Sequence, residues 1–283
     1  MQIRSLTNAI RRRRFDLAHD GKSLLDVSTE SAYVDSKQSR MTMQRWYEYS
    51  KDPNAPELMK RRQADIARTR TGQLVNDRVA YLCQLVAGKS ILDIGVVEHT
   101  REALESSGWL HGHLRRHAAQ CLGVDVLEDE VRYLQTKGYN VIRADVTKAP
   151  VAGKFDVIIA GEVLEHLDAT GMFMKNCATM LNFGGRLAIT VPNPWYANVM
   201  LKNLFGSSIF VDSADHVAWY DASTLYELSQ REGLQLDRYT GICSSSSRTF
   251  RARLFYGLRP VLVKVGLKPE LFAKSIIFEF VRA

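Results

Sequence analysis

From Ser90 onward the chain alternates short apolar runs with stretches of helical spacing. SILDI (90–94), CLGVDV (121–126), NVIRA (140–144), FDVIIA (155–160) and RLAITV (186–191) are of strand length. Residues 101–119, 128–137, 171–182 and 222–232 place apolar side chains at the three-and-four spacing of a helix lying on a core. Apolar strands alternating with helices predict a parallel sheet covered on both faces. LQLDRYTGI (234–242) and KSIIFEFVRA (274–283) predict two closing strands. The second alternates less strictly and is expected at an edge or antiparallel. Upstream, Leu74, Val75, Val79, Leu82, Cys83 and Val86 predict an amphipathic helix over 72–86, ended by Gly88.

Residues 1–72 read as a basic extension, largely helical or partly irregular. RRRRF (11–15) is a basic cluster. SKQSRMTMQRWYEY (36–49) predicts a helix with Trp46 and Tyr49 on one side, and MKRRQADIARTR (59–70) an exposed charged one. DPNAP (52–56) breaks the chain between them. The domain proper is expected over 73–283. It carries a basic amphipathic insert at about 248–272, read as one or two short helices. There Phe250, Leu254, Phe255, Leu258, Val261 and Leu262 form an apolar stripe, and Arg251, Arg253, Arg259 and Lys264 supply charge. Such a segment suits a lid over a lipid-linked or glycan-phosphate substrate, or a core helix with a solvated basic face.

The polar groups cluster where strands end, and open α/β sheets bind ligands beyond the carboxyl ends of their strands. Asp93 and Gly95 follow the first run, Asp125 the second, Asp145 the third, and Gly161-Glu162 the fourth. A dinucleotide site needs GxGxxG at the first turn, where a pyrophosphate approaches bare backbone. Here only Gly95 is present, followed by Val96 and Val97. NAD and FAD are disfavoured, and a ligand tailed by an amino acid is tolerated better. An acid ending the second strand suits ribose hydroxyls. A lone strand-end Asp is as often a turn former, but three in register are a stronger signal.

ILDIG, GVDV, RADV, FDVIIAGEVLEHL and GGRLAITVPNP together resemble a class I S-adenosylmethionine-dependent methyltransferase, of the type of the ubiquinone-pathway O-methyltransferases. The resemblance covers about residues 74–243 and extends to the last strand. It implies a doubly wound, Rossmann-like α/β fold with a seven-stranded sheet in the order 3-2-1-4-5-7-6, strand 7 antiparallel. By the same resemblance, Asp93 and Gly95 hold the methionine end of S-adenosylmethionine and Asp125 with Val126 the ribose. Asp145 and Val146 flank the adenine, and Gly161 and Glu162 lie near the sulfonium. VVEHT (96–100) departs from the Cys-Gly-x-Gly usual there, and His99 is a candidate replacement contact.

Methyl transfer to a hydroxyl needs positioning, desolvation and a base. His166 and His216 are the candidate bases, since histidine's unperturbed pKa is about 6.5. Each has a bland alternative as a cap or supporting group. Glu162 is a catalytic candidate beside them. Glu162, Glu165 and His166 also form ExxEH, which with His216 offers donors for a divalent cation. Because EVLEHL occurs in family members without metal, no metal is assigned. Trp195, Tyr196, Trp219 and Tyr220 either stack on a planar substrate or pack.

Net charge is +7, from 38 Lys/Arg against 31 Asp/Glu, and it is unevenly spread. The segments 1–80 and 248–283 are basic and the middle is acidic. Basic flanks suit a polyanion or an anionic membrane surface, or simply aid solubility. Cys83, Cys121, Cys177 and Cys243 lack CxxC spacing and read as reduced thiols of a cytoplasmic protein, peripheral to a membrane at most. The start reads as no secretory signal, because no apolar stretch follows Arg14. The function expected is O-methylation of a small molecule, glycan or lipid-linked intermediate. The rivals are a metal-assisted RNA 2′-O-methyltransferase, with nucleic acid the less favoured partner, and a non-catalytic cofactor-binding scaffold.

Overall fold

The structure is a computed structural model that describes residues 45–98, 101–104, 106–243 and 250–282. RRRRF, most of the helix expected over 36–49, and His99 lie outside the described residues.

Among the described residues eight strands form one sheet: β1 (Arg70–Val75), β2 (Ser90–Ile94), β3 (Gln120–Asp125), β4 (Val141–Arg143), β5 (Phe155–Gly161), β6 (Leu181–Pro192), β7 (Leu234–Ile242) and β8 (Ser275–Arg282). Their order is β1-β7-β8-β6-β5-β2-β3-β4. From β4 to β7 this is the expected 3-2-1-4-5-7-6 arrangement. β8 runs antiparallel to both β6 and β7, and the other pairings are parallel. β8 lies inside the sheet rather than at an edge, and its residues from Ser275 to Phe280 are buried.

The helices are α1 (Pro56–Thr69), α2 (Arg78–Val86), α3 (Arg101–Leu104), α4 (Leu110–His117), α5 (Glu128–Thr136), α6 (Thr170–Met180), α7 (Ala197–Phe205), α8 (Ala222–Arg231) and α9 (Phe250–Lys264). Successive strand residues face opposite sides. Ile91, Val157, Ile159, Ala188 and Ile277 pack with Leu82, Cys83 and Val86 of α2 and Leu110 and Leu114 of α4. Leu92, Ile158, Leu187, Ile189 and Phe278 pack with Phe173, Met174 and Cys177 of α6 and Leu225 of α8. Burial on both faces explains the near-continuous apolar runs.

Three expectations change. The helix over 72–86 divides: Leu74 and Val75 belong to β1, and Asp77 caps α2 by accepting a 2.9 Å hydrogen bond from the Ala80 amide. The helix over 101–119 divides into α3 and α4, because Trp109 is drawn into the core between them. Residues 56–72, assigned to the extension, join the sheet-bearing unit. Pro56 opens α1, Ile66 packs on the core, and β1 adds an eighth strand along β7. The Arg70 guanidinium donates to both carboxylate oxygens of Glu270, at 2.6 and 2.5 Å, and so anchors the start of β1. The insert expected at 248–272 is α9 followed by a 3-10 turn at Pro269–Phe272.

Gly241 shows how closely β1 is seated. A Cβ there would lie 2.6 Å from Leu74 Cδ2 and 2.8 Å from the Ala273 Cβ. Gly241→Ala is therefore expected to cost about 1–3 kcal/mol of stability in denaturant unfolding. An unchanged midpoint would show that β1 does not pack on β7 as described.

Candidate active site

The carboxyl ends of β2, β3 and β5 open into a cavity of about 600 Å³. Asp93, Gly95, Asp125, Val126, Asp145, Val146, Gly161 and Glu162 all line it, and so do His166 and His216. The three acids singled out in the sequence thus share one cleft. The cavity also takes in Arg78, Trp109, His111 and Lys274, which sequence reasoning did not assign to the site.

The first turn is held without a glycine-rich loop. Gly95 has φ of 77°, and a Cβ on it would come within 2.5 Å of Val163 Cγ2. Glycine is required there for both reasons. Val96 does not crowd the cleft with its side chain, which is 3% exposed and packed with Leu104, Trp109, Val131, Leu134 and Val141. The Trp109 indole N–H donates to the Val96 carbonyl at 2.8 Å. The Val97 amide donates to Asp125 Oδ2 at 2.9 Å, and the Leu127 amide to Asp125 Oδ1 at 3.1 Å. Asp125 thus fastens the turn while keeping lone pairs for further donors.

The other two acids differ. Asp93 is buried and accepts from His111 Nδ1 at 2.8 Å. Asp145 Oδ1 accepts from the Thr147 amide and hydroxyl at 3.0 and 2.6 Å, and Oδ2 pairs with Lys148 at 3.0 Å. The Thr147 hydroxyl, then Lys148, hold the Asp145 carboxyl below its usual range. Asp145 is therefore a turn former as well as a cavity wall.

Beyond β5 the ExxEH segment folds into a 3-10 turn at Leu164–His166. Glu162 has φ of 61°, a left-handed conformation rare outside glycine. Its carboxylate accepts from Ser275 Oγ at 2.9 Å and lies 3.4 Å from the Arg78 guanidinium. Glu162 thus leaves the other three. Glu165, His166 and His216 each offer a ligand atom, and these atoms lie within 4.8 Å of one another. The Val217 amide, donating to the Glu165 carbonyl at 2.9 Å, draws the His216 segment onto the turn. The His166 and His216 rings meet edge to face at 4.7 Å, and His166 Nδ1 lies 3.0 Å from Asp215 Oδ2.

Among the described residues, neither carboxylate oxygen of Glu165 nor Nδ1 of His216 has a hydrogen-bond partner, although all three atoms are buried. Burial pushes the Glu165 carboxyl up to about 8, with smaller upward contributions from Glu162 and Asp212. Orphaned buried polar atoms are costly, and a divalent cation among Glu165, His166 and His216 would give the Glu165 carboxylate a partner. The residues present fit such an ion. They also fit a proton-accepting group at the mouth of the cleft.

The four aromatic candidates separate, with Tyr196 half-buried. Trp195 is largely exposed and donates to Asp221 Oδ2 at 3.1 Å. Trp219 is exposed with its ring 6.4 Å from that of His216, while Tyr220 packs on the core. Cys83, Cys121, Cys177 and Cys243 are free thiols, and all but the partly exposed Cys121 are buried. Among the described residues no helix is long and apolar enough to cross a membrane.

A family profile described as "Methyltransferase domain" matches residues 11–239. The chain is similar to the ubiquinone biosynthesis O-methyltransferase of Xanthomonas axonopodis pv. citri, 24% identical over 62% of this chain and 77% of that one. It is 31% identical to the enzyme of the same description from Nitrobacter winogradskyi, over 41% of this chain and 44% of that one. Among solved structures it is similar to the magnesium protoporphyrin IX methyltransferase of Synechocystis with bound S-adenosylhomocysteine. That likeness is 18% identity and a TM-score of 0.47, covering 80% of this chain and 85% of that one. With the family profile matched over most of its length and the strand order and strand-end acids in place, the chain belongs to the class I methyltransferases, enzymes whose methyl donor is S-adenosylmethionine.

Proposed function

We propose that the enzyme methylates a hydroxyl of a small-molecule acceptor, and that Glu165, His166 and His216 take up or displace the hydroxyl proton. The observation that carries this reading is the convergence of those three groups at the cofactor cavity. The similarity to ubiquinone biosynthesis O-methyltransferases supports it.

S-adenosylmethionine supplies a methyl group already activated on a sulfonium. Asp125 and Val126 suit the ribose, Asp145 and Val146 the adenine, Asp93 and Gly95 the amino-acid tail, and Gly161 and Glu162 the region of the sulfur. The protein's further task is to position the acceptor oxygen, exclude water and remove one proton as the O–C bond forms. In the base reading the proton goes to His216 or His166, and Asp215 steadies the latter. In a second reading, favoured by the orphaned oxygens of Glu165, the side chains of Glu165, His166 and His216 would hold a divalent cation, which would lower the pKa of the acceptor hydroxyl.

A lipid-linked acceptor, delivered from an anionic membrane surface, is the finer form of this proposal. Leu204 and Phe205 of α7, then Ile209 and Val211, are exposed, and the chain runs from them directly into Asp212 and Ser213 of the cavity wall. Leu258, Val261 and Val265 are exposed in and after α9, among Arg259, Lys264 and Lys268. A glycan acceptor rests on less, and RNA is the partner the chelator and salt tests address. Transfer of labelled methyl groups to lipid, sugar and RNA pools tests the acceptor. Label in small phenolic or lipid-linked products supports the proposal, and label confined to RNA, with salt-sensitive binding, contradicts it.

His216→Ala is expected to cut kcat by about 10²–10⁴-fold while S-adenosylhomocysteine affinity stays within about twofold. Wild-type turnover would remove His216 from the mechanism. Chelator treatment distinguishes the readings: lost activity restored by a divalent cation identifies the metal form, and unaffected activity the base form.

The buried Glu165 makes a separate pH prediction. With its carboxyl raised from 4.5 to about 8, the folded protein holds more protons than the unfolded chain between those values. Stability from the neutral carboxyl is complete below the lower value and is lost as pH rises through the upper one. Relative to Glu165→Gln, the wild type should lose up to about 1.4 kcal/mol per pH unit across that window. Parallel stability profiles for the two proteins would refute the burial of an uncompensated carboxyl.

A further inference from the structure

The turn after β2 lacks the bare-backbone glycines that let a loop close on a ligand, yet it must receive an amino-acid tail. What stands in their place comes from α4 and the turn before it. Asp93 lies on the same face of β2 as Ile91, the face that α4 covers. His111 of α4 reaches its carboxylate at 2.8 Å, and both side chains are almost wholly withdrawn from solvent.

The imidazole has little freedom. Its ring lies 5.3 Å from that of Trp109 and 5.9 Å from that of Tyr139. On the sheet side, a Cβ at position 123 would come within 2.7 Å of His111 Cε1, so Gly123 of β3 leaves the space the ring occupies. Trp109, two residues earlier, is the strut that holds the Val96 carbonyl. One short segment therefore fixes both the turn and the acid before it.

A buried carboxylate is costly unless it is hydrogen-bonded and paired with a positive charge. The imidazole, with its proton on Nδ1, donates one hydrogen bond to Asp93 Oδ2 and fixes the plane of the carboxylate. The cavity on which Asp93 borders has room for a cation to complete the pair. S-adenosylmethionine carries one, the α-ammonium of its methionine tail.

We propose that His111 is a positioning residue that orients Asp93 toward the α-ammonium of the cofactor, so that tail recognition rests on this pair and nucleoside recognition on Asp125. The inference deepens the assignment of the cavity to S-adenosylmethionine and rests on it. It makes the two halves of cofactor binding separable.

Calorimetry with S-adenosylhomocysteine and with 5′-methylthioadenosine, which lacks the amino-acid tail, tests this on the full chain. His111→Phe fills the ring space without a donor. It should weaken S-adenosylhomocysteine binding by about tenfold or more and leave methylthioadenosine within about twofold. His111→Asn, whose amide donates from near the position of Nδ1, should recover much of the loss. Asp93→Asn keeps the shape without the charge and should reproduce the selective loss, which guards against a Phe variant that folds poorly. Equal weakening of both ligands, or of neither, would overturn the proposal while leaving the cofactor assignment intact. Failure of the wild type to bind S-adenosylhomocysteine would overturn both.

Discussion

The site depends on how Asp125 ties the turn after β2 to the end of β3. The Val97 amide reaches across to Asp125 Oδ2 while the Leu127 amide holds Oδ1. Without that carboxylate, Val97 would be an unpaired donor at the edge of the cavity, and the turn would lose its side-chain anchor on β3. The Gly95 amide adds a 2.9 Å bond to the Val124 carbonyl, and Trp109 closes the outer side. A loop of branched side chains thus reaches the geometry that glycines usually permit, because Val96 finds a core to occupy and the backbone groups find fixed partners. The missing glycines alter how the turn is built and leave the cleft open.

The acceptor side follows a different logic. Among the described residues, the acids at the ends of β2 and β3 all find hydrogen-bond partners, whereas two oxygens of Glu165 and Nδ1 of His216 are buried without one. Buried polar groups left in this way mark a site whose partner arrives from outside, as a proton, an ion or an acceptor. Glu162 separates the two regions. Its left-handed backbone sends its carboxylate toward Ser275 and Arg78, so it braces β8 and α2 rather than joining Glu165.

Much of the fold was legible because buried parallel strands write themselves as apolar runs: β2, β5 and β7 lie within a residue of the ranges read from the sequence. The strand-end acids were legible for the same reason, since the last residue of a run marks the cleft. β1 was hidden because TGQLV is short and mostly exposed, and its partner Ile242 lies far along the chain. α7 was not read from the sequence, and it buries no residue fully. At the site, the spacing of ExxEH suggests that Glu162 and Glu165 act together, and only the φ of Glu162 shows that they part. His111 was not assigned, because its partner Asp93 lies 18 residues away and the two meet only through the packing of α4 on β2.

The central claim is that the cavity receives a nucleoside whose tail is an amino acid, gripped at the ends of β2 and β3. A crystal structure with S-adenosylhomocysteine tests it most directly. The account predicts ribose hydroxyls on Asp125, the ammonium beside Asp93 and the sulfur facing Gly161. Ligand bound elsewhere, or bound here with Asp93 and Asp125 untouched, would contradict it.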